Sequence, residues 1–264
     1  MATTNPLAAA FKKADTREKY RLFGLSAGEP GSRKTSFWLE APGPIAVFSL
    51  DQGLEGVVSR QLRETPDKEI WVKEYEWAPR KDVDLQEKAI ETRDQFEADV
   101  KLALLHARTL IFDKEGDFWS LFRYAEFGPE QNDAPRNYPA LNQRYREFVN
   151  AAKSTDHNVG FIDGMKDEWG TKVNERTGAR GAASTGKRIR SGFGDLPGLV
   201  HIELYHSGLG PVGENPDPSR DWNIHIGKAR GPEGWKYAGM DIGNMTFSEV
   251  GMLIFPDSEE GDWL

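Results

Sequence analysis

The feature that most constrains this chain lies at residues 20–35, YRLFGLSAGEPGSRKT, where an apolar run meets a glycine-bearing turn that ends in Lys-Thr. Leu22, Phe23 and Leu25 predict a short buried strand, residues 26–33 a loop, and helix-compatible residues begin at Lys34. Strand, glycine-rich loop and helix in that order point to a phosphate-binding segment. Glycine lets the main chain curl until several N–H groups converge on phosphate oxygens, and a helix N-terminus already favours negative charge there. Gly28 stands at the first glycine of G-x-x-x-x-G-K-[ST], and Pro30, Gly31, Ser32, Arg33, Lys34, Thr35 and Ser36 complete the expected contact set for ATP. Lys34 is the expected partner of the β- and γ-phosphates, and the Thr35 hydroxyl that of Mg²⁺. Arg33 replaces the second glycine, and its side chain either crowds the backbone approach to the β-phosphate or adds a guanidinium contact. The plainer reading of the segment is an ordinary strand-to-helix turn that contains Lys-Thr.

At 264 residues the chain can bury a substantial core, as one large domain or two small ones. A net charge of −8 describes a soluble protein in which any nucleic-acid contact has to be a local patch. Without cysteine there is no disulfide framework and no thiolate zinc site, as in a reducing compartment. His106, His157, His201, His206 and His225 show no metal-ligand spacing, so no metal is expected beyond a nucleotide-bound Mg²⁺. No apolar run has the length of a membrane span, and the N-terminus lacks a basic start and an apolar h-region, which together predict a cytoplasmic protein.

Residues 1–19 are polar apart from 7–11 and predict an arm before one domain at 20–256, followed by an acidic tail at 257–264. Pro42 and Pro44 limit a helix at 34–40, and IAVFSL (45–50) predicts a strand covered on both faces. Parallel α/β sheets bind ligands at the C-terminal ends of such strands, so Asp51 and Glu55 are candidates to orient an attacking water. Asp51 reads equally well as the cap of a helix at 54–62. A more exposed strand is predicted at 70–77, and Leu85, Ala89, Phe96, Val100, Ala103 and Ala107 form the core stripe of a helix at 84–107. TLIFD (109–113) is the second informative segment, an apolar strand ending in an acid, and Asp113 is expected to hold Mg²⁺ together with Thr35. Glu115 and Asp117 are further candidates beside it. Helices are predicted at 117–127 and 138–152, and a buried strand at 159–162 followed by polar residues at 163–166, a position similar to that at which RecA-like proteins sense the γ-phosphate.

Residues 166–190 change character, because Lys166, Lys172, Arg176, Arg180, Lys187, Arg188 and Arg190 stand among glycine, serine and threonine against only Asp167, Glu168 and Glu175. A flexible basic loop is predicted over 163–192, with Lys172, Arg176, Arg180, Lys187, Arg188 and Arg190 neutralising the phosphates of single-stranded DNA. A solvated surface hairpin is the other reading. Segments 199–205 and 222–227 predict an antiparallel strand pair, beyond which Lys228 and Arg230 read as ordinary exposed charges or as candidate trans-acting cations, and a helix at 246–255 closes the domain with Thr246 as its cap. Within the arm, Phe11-Lys12-Lys13-Ala14 is similar to the Phe-x-x-Ala plug by which recombinases dock on a neighbouring subunit, which implies self-association through Phe11 and Ala14.

GEPGSRKT, SLDQG, TLIFD, the FWSLFRYAEFG helix, MKDEW, RSGFGD (190–195) and GKAR, in this order, make residues 20–255 resemble the phage-encoded P-loop nucleotide-binding ATPases grouped with RecA-like annealing and recombination proteins. The resemblance implies an α/β, RecA-like P-loop core, its mostly parallel central sheet flanked by helices with an antiparallel C-terminal extension. It further implies ATP and Mg²⁺ as cofactors, and single-stranded DNA as partner in phage recombination, annealing or replication in the host cytoplasm. Gly28, Lys34 and Thr35 match the phosphate loop and Asp113 the Walker B acid. Lys114 rather than Glu follows that acid, which implies a catalytic carboxylate from an earlier strand, where Asp51 is the match. The chain departs from the family at Arg33 and at Ser49, where the family places a second acid. Those departures favour the alternative of a regulatory or structural module that holds nucleotide and hardly hydrolyses it.

Overall fold

The structure is a computed structural model and describes residues 19–50, 53–77, 85–128, 138–173, 180–208 and 222–264. Phe11 and Ala14 of the arm, Asp51 and Arg176 lie outside the described residues. The elements run β1 (Phe23–Gly28), α1 (Lys34–Leu39), β2 (Ile45–Ser49), α2 (Glu55–Glu64), β3 (Ile70–Glu74), α3 (Leu85–His106), β4 (Thr109–Asp113), α4 (Glu115–Phe127), α5 (Tyr138–Lys153) and β5 (Asn158–Asp163). They continue with β6 (Met165–Val173), β7 (Arg180–Arg190), α6 (Leu196–Leu199), β8 (Ile202–Gly208), β9 (Trp222–Ala229) and α7 (Phe247–Ile254).

Seven strands form one sheet in the order β3-β2-β4-β5-β1-β8-β9. All neighbours pair in parallel except β8 and β9, which are antiparallel. This is the mostly parallel α/β core, flanked by helices and with an antiparallel C-terminal pair, that the sequence predicts. Its central strands β1, β2, β4 and β5 read as mostly apolar runs because both faces are covered. In β4, Leu110 and Phe112 join one core and Ile111 the other. In register across β2, β4 and β5, Phe48, Phe112 and Phe161 stack with centroids 5.2 and 5.1 Å apart. Phe96 and Phe118 close over that row, and each fully buried ring contributes ~1.5–3 kcal/mol. On the opposite face α1 presses Trp38 against Gly160, where an added Cβ would lie 2.3 Å from the indole.

Two expectations change. The segment read as a flexible loop over 163–192 is, in its described residues, an antiparallel ribbon of β6 and β7, separate from the main sheet. A two-stranded ribbon buries neither face, so it needs main-chain pairing and no hydrophobic pattern, and the sequence therefore looks like loop. The acidic tail is also structured. Its residues 260–263 make a 3₁₀ turn that seats Trp263, fully buried, between Gly251, Phe247 and Phe255. Arg108 holds the turn by donating to the carbonyls of Asp262 and Leu264. The predicted cap of the closing helix is present as a full capping box between Thr246 and Glu249.

Candidate nucleotide site

The β1–α1 loop emerges at the C-terminal edge of the sheet, with β5 on one side and β8 on the other, so that Ala27 is in register with Asp163 and Gly28 with His206. Gly28 has no space for a side chain: a Cβ there would lie 2.3 Å from the His206 carbonyl oxygen. Ser32 N–H donates to the Glu29 carbonyl at 3.2 Å and closes the turn. Gly31 and Arg33 both take left-handed backbone, with φ of 77° and 66°. The motif's second glycine thus sits where the chain demands φ > 0, and arginine meets that demand at a cost of roughly 1–2 kcal/mol. Its side chain takes neither course expected from the sequence. The guanidinium turns to Asn244 Oδ1 (2.6 Å) and Glu40 Oε1 (3.3 Å), away from the bend of the loop.

Lys34 Nζ folds back into the bend and donates to the carbonyls of Gly28 (2.9 Å) and Glu29 (2.8 Å) and to Ser32 Oγ (3.3 Å). Burial lowers its pKa, and the fields of Asp113, Glu29 and Asp163 act against that shift. Thr35 Oγ1 donates to Asp113 Oδ2 at 3.4 Å across β5, so the hydroxyl and the acid expected to share Mg²⁺ meet at one point. An alcohol and a carboxylate are the hard oxygen donors that this ion takes. Ser36 is buried and accepts from Arg60 Nη2 at 2.6 Å, so its hydroxyl is used against α2 rather than at the bend. Pro30 and Gly31 form the exposed crest of the loop. Glu55 opens α2, and its side chain is outside the description.

Beside the loop lies a buried ionic cluster that the sequence did not announce. Arg190 Nη1 is 2.5 Å from Asp163 and 3.2 Å from Glu115, and its other amino group donates to the Phe193 carbonyl. Asp163 also accepts from the amides of Gly116 (3.2 Å) and Gly192 (2.9 Å) and from Ser191 Oγ (3.0 Å). Glu115 accepts from Tyr145 OH (2.7 Å) and Phe193 N–H (2.9 Å). Burial, reinforced by Asp163 and opposed by Arg190, pushes the Glu115 carboxyl up to about 8. The expected DNA-contacting role of Arg190 is therefore corrected: its charge is spent inside the protein at the root of the ribbon. Asp163, read as a sensing position, is likewise engaged by donors of its own chain. Beneath the loop, Trp38 Nε1 donates to Ser26 Oγ (2.8 Å), which in turn meets His206 Nε2 at 2.9 Å. Burial, then the charges of Lys34 and Arg33, lower the His206 pKa to about 3, so the ring is neutral. No spacing in the sequence pointed to that histidine.

The remaining predicted cations divide. Lys187 is exposed, and Arg188 is exposed but bridges Glu29 of the phosphate loop (3.0 Å) and Asp167 (3.1 Å). Lys172 and Arg180 lie on paired backbone, and their side chains are outside the description. Lys228 and Arg230, at the end of β9, stand at the opposite edge of the sheet from the loop, because β9 runs against β8. Lys228 donates to the carbonyls of Pro197 and Val200. Arg230 lines a cavity of about 310 Å³ with Lys19, Arg21, His201 and Phe255. Burial and the charges of Lys153, Arg21, Arg230 and Lys228 lower the His201 pKa to about 4. At the free edge of the sheet, an apolar groove of about 490 Å³ runs between β3 and α3 past Trp71, Val72, Leu102 and Ala103.

No family model matches the sequence, and no curated protein matches it. Two solved structures share its general shape at 14% sequence identity. One, described as an ATPase domain, has a TM-score of 0.48, with 89% of this chain and 84% of that chain covered. The other, a DnaB-like replicative helicase described with its interactions with primase, has a TM-score of 0.46, with 85% of this chain and 55% of that chain covered. At this identity the likeness concerns the fold alone.

Proposed function

We propose that this protein binds ATP with Mg²⁺ through the β1–α1 loop and hydrolyses it while working on single-stranded DNA, in phage recombination, annealing or replication in the host cytoplasm. The observation that carries the nucleotide reading is the convergence of Lys34, Thr35 and Asp113 at one end of the sheet, with Thr35 and Asp113 within 3.4 Å. Main-chain amides around Ser32 and the Lys34 ammonium bind and orient the triphosphate, and the closed core beneath excludes water from the loop's inner side. Thr35 and Asp113 would hold Mg²⁺, which when bound supplies charge neutralisation at the phosphate oxygens. Asp51 and Glu55 remain the proposed groups that orient the attacking water, since Asp163 and Glu115 are committed to Arg190. That commitment also favours a second reading, a nucleotide-binding regulatory module with little turnover.

Lys228 and Arg230 serve this proposal as trans-acting cations: with Arg21 and Lys153 they stand at the sheet edge opposite the loop, the edge that a neighbouring copy's loop would meet in a head-to-tail assembly. Phe11 and Ala14 serve it as a plug, for which the groove beside β3 has the required apolar lining. Phosphate release with and without oligonucleotide tests the whole. Turnover stimulated by single strands supports the first reading, tight binding without turnover supports the second, and a Lys34→Ala variant with intact ATP affinity sinks both.

A further inference from the structure

The β6–β7 ribbon carries a large side chain that the charge argument does not use. Trp169 is 66% exposed, with no hydrogen-bond or ring partner among the described residues. Its position in the pairing explains why nothing covers it. Ser184 is directly opposite and Ala182 is the diagonal position on one side, both too small to lie over an indole, while Arg188 on the other diagonal, opposite Asp167, turns to Glu29 and Asp167. The pairing shifts between Asp167 and Trp169, where β7 carries extra residues, and this bulge holds Gly186, in left-handed backbone, and the exposed Lys187. Ile189, 38% exposed, and Arg188 follow toward the root. The ribbon's six cations, Lys166, Lys172, Arg180, Lys187, Arg188 and Arg190, stand against Asp167 and Glu168 in a chain whose net charge is −8. Among the ribbon's described side chains, Lys166, Lys187 and Arg188 are exposed and Arg190 is enclosed, in the cluster that anchors the ribbon beside the β1–α1 loop.

We propose that Trp169 is a base-stacking residue: the ribbon takes single-stranded nucleic acid, one nucleobase lying on the uncovered indole and the flanking phosphates on Lys187 and Arg188. The chemistry selects the partner. Cations alone would accept any polyanion, but an open aromatic face among small residues is complementary to another flat ring, and a nucleobase offers its face only where the strand is not paired and stacked in a duplex. The inference rests on the reading of the ribbon as a nucleic-acid surface and adds the residue that distinguishes a base-bearing strand from a bare phosphodiester chain.

Fluorescence anisotropy of the full chain with labelled oligothymidine, and with an abasic deoxyribose-phosphate oligomer of equal length, tests it at one fixed salt concentration. Trp169→Ala is expected to weaken oligothymidine binding about 5- to 100-fold and to leave the abasic oligomer unaffected, with Trp169→Phe retaining most of the affinity. If Trp169→Ala binds oligothymidine like the parent while Lys187→Ala weakens both oligomers, stacking is overturned and the ribbon keeps its charge role. A Trp169→Ala loss that is equal on both oligomers also overturns stacking. If the parent binds neither oligomer, the ribbon reading falls and stacking falls with it.

Discussion

The phosphate loop and the β6–β7 ribbon are made of similar residues, glycine, serine, lysine and arginine, and both stand beside the C-terminal ends of β1 and β5, yet they use their cations in opposite ways. In the loop, the carbonyls of Gly28 and Glu29 accept from the ammonium of Lys34, and Asp113 and Asp163 at the ends of β4 and β5 add their fields, so its position is set before any ligand arrives. In the ribbon, among the described side chains, the enclosed cation is at the root: Arg190 is 8% exposed between two acids, whereas Lys187 is open to solvent and Arg188, 45% exposed, pairs at the surface. What a basic residue does here follows from whether neighbouring strands deliver acceptors to it. The Arg188–Glu29 bridge joins the two regions, from ribbon to loop.

The contrast can be broken most directly at the root. Arg190→Ala leaves Glu115 and Asp163 buried without their cation and is expected to cost about 3–5 kcal/mol by chemical denaturation. A cost as small as that of an ordinary surface substitution, within about 0.5 kcal/mol, would place Arg190 with the exposed cations. In the loop, Lys34→Ala is expected to lower ATP affinity about a hundredfold or more, read by calorimetry, because charge-assisted contacts to phosphate are lost.

The third test is pH. Glu115 has a carboxyl raised in the fold to about 8, so the native state binds a proton that the unfolded chain gives up near the ordinary value of 4.5. Stability from this group is therefore full below that ordinary value and is lost as pH climbs toward 8. Glu115→Gln should flatten that fall in a series of melting curves, and an unchanged slope would mean that the carboxyl is not the titrating group. Replacing Lys187 and Arg188 together with Ala should lessen the salt slope of single-strand binding by about 1.4, at roughly 0.7 per phosphate contact, with little change in melting temperature. The smallest change is expected from Arg33→Gly. It exchanges about 1–2 kcal/mol of left-handed strain for exposed contacts worth about 0–1 kcal/mol, so the melting temperature should hold or rise slightly. A large loss would show that Arg33 is held by more than Asn244 and Glu40.

Much of this architecture could be read from residue order. TLIFD is a strand with the predicted ends, because a fully covered parallel strand needs an unbroken apolar run and an acid then marks its solvent end. The stripe Ala89, Phe96 and Val100 placed α3, and Thr246 with Glu249 placed the start of α7, since these signals act within one or two turns. The ribbon was legible only as the alternative of a surface hairpin, because neither of its faces is buried, and the place of Trp263 was illegible because one aromatic residue in an acidic stretch has no period. The role of Arg190 was hidden for another reason: its partners are 75 and 27 residues away.

By itself, the order of residues determined a strand, a glycine-bearing turn and a lysine-threonine helix start, followed by an acid-ended strand, because those are local demands of backbone geometry and burial. Only the tertiary structure decided that Arg33 turns its charge toward Asn244, that Arg190 is enclosed while Lys187 is not, and that Trp169 is largely exposed. Those outcomes depend on which distant strand ends come side by side, and electrostatic and packing energies are set by distance in space rather than by separation along the chain.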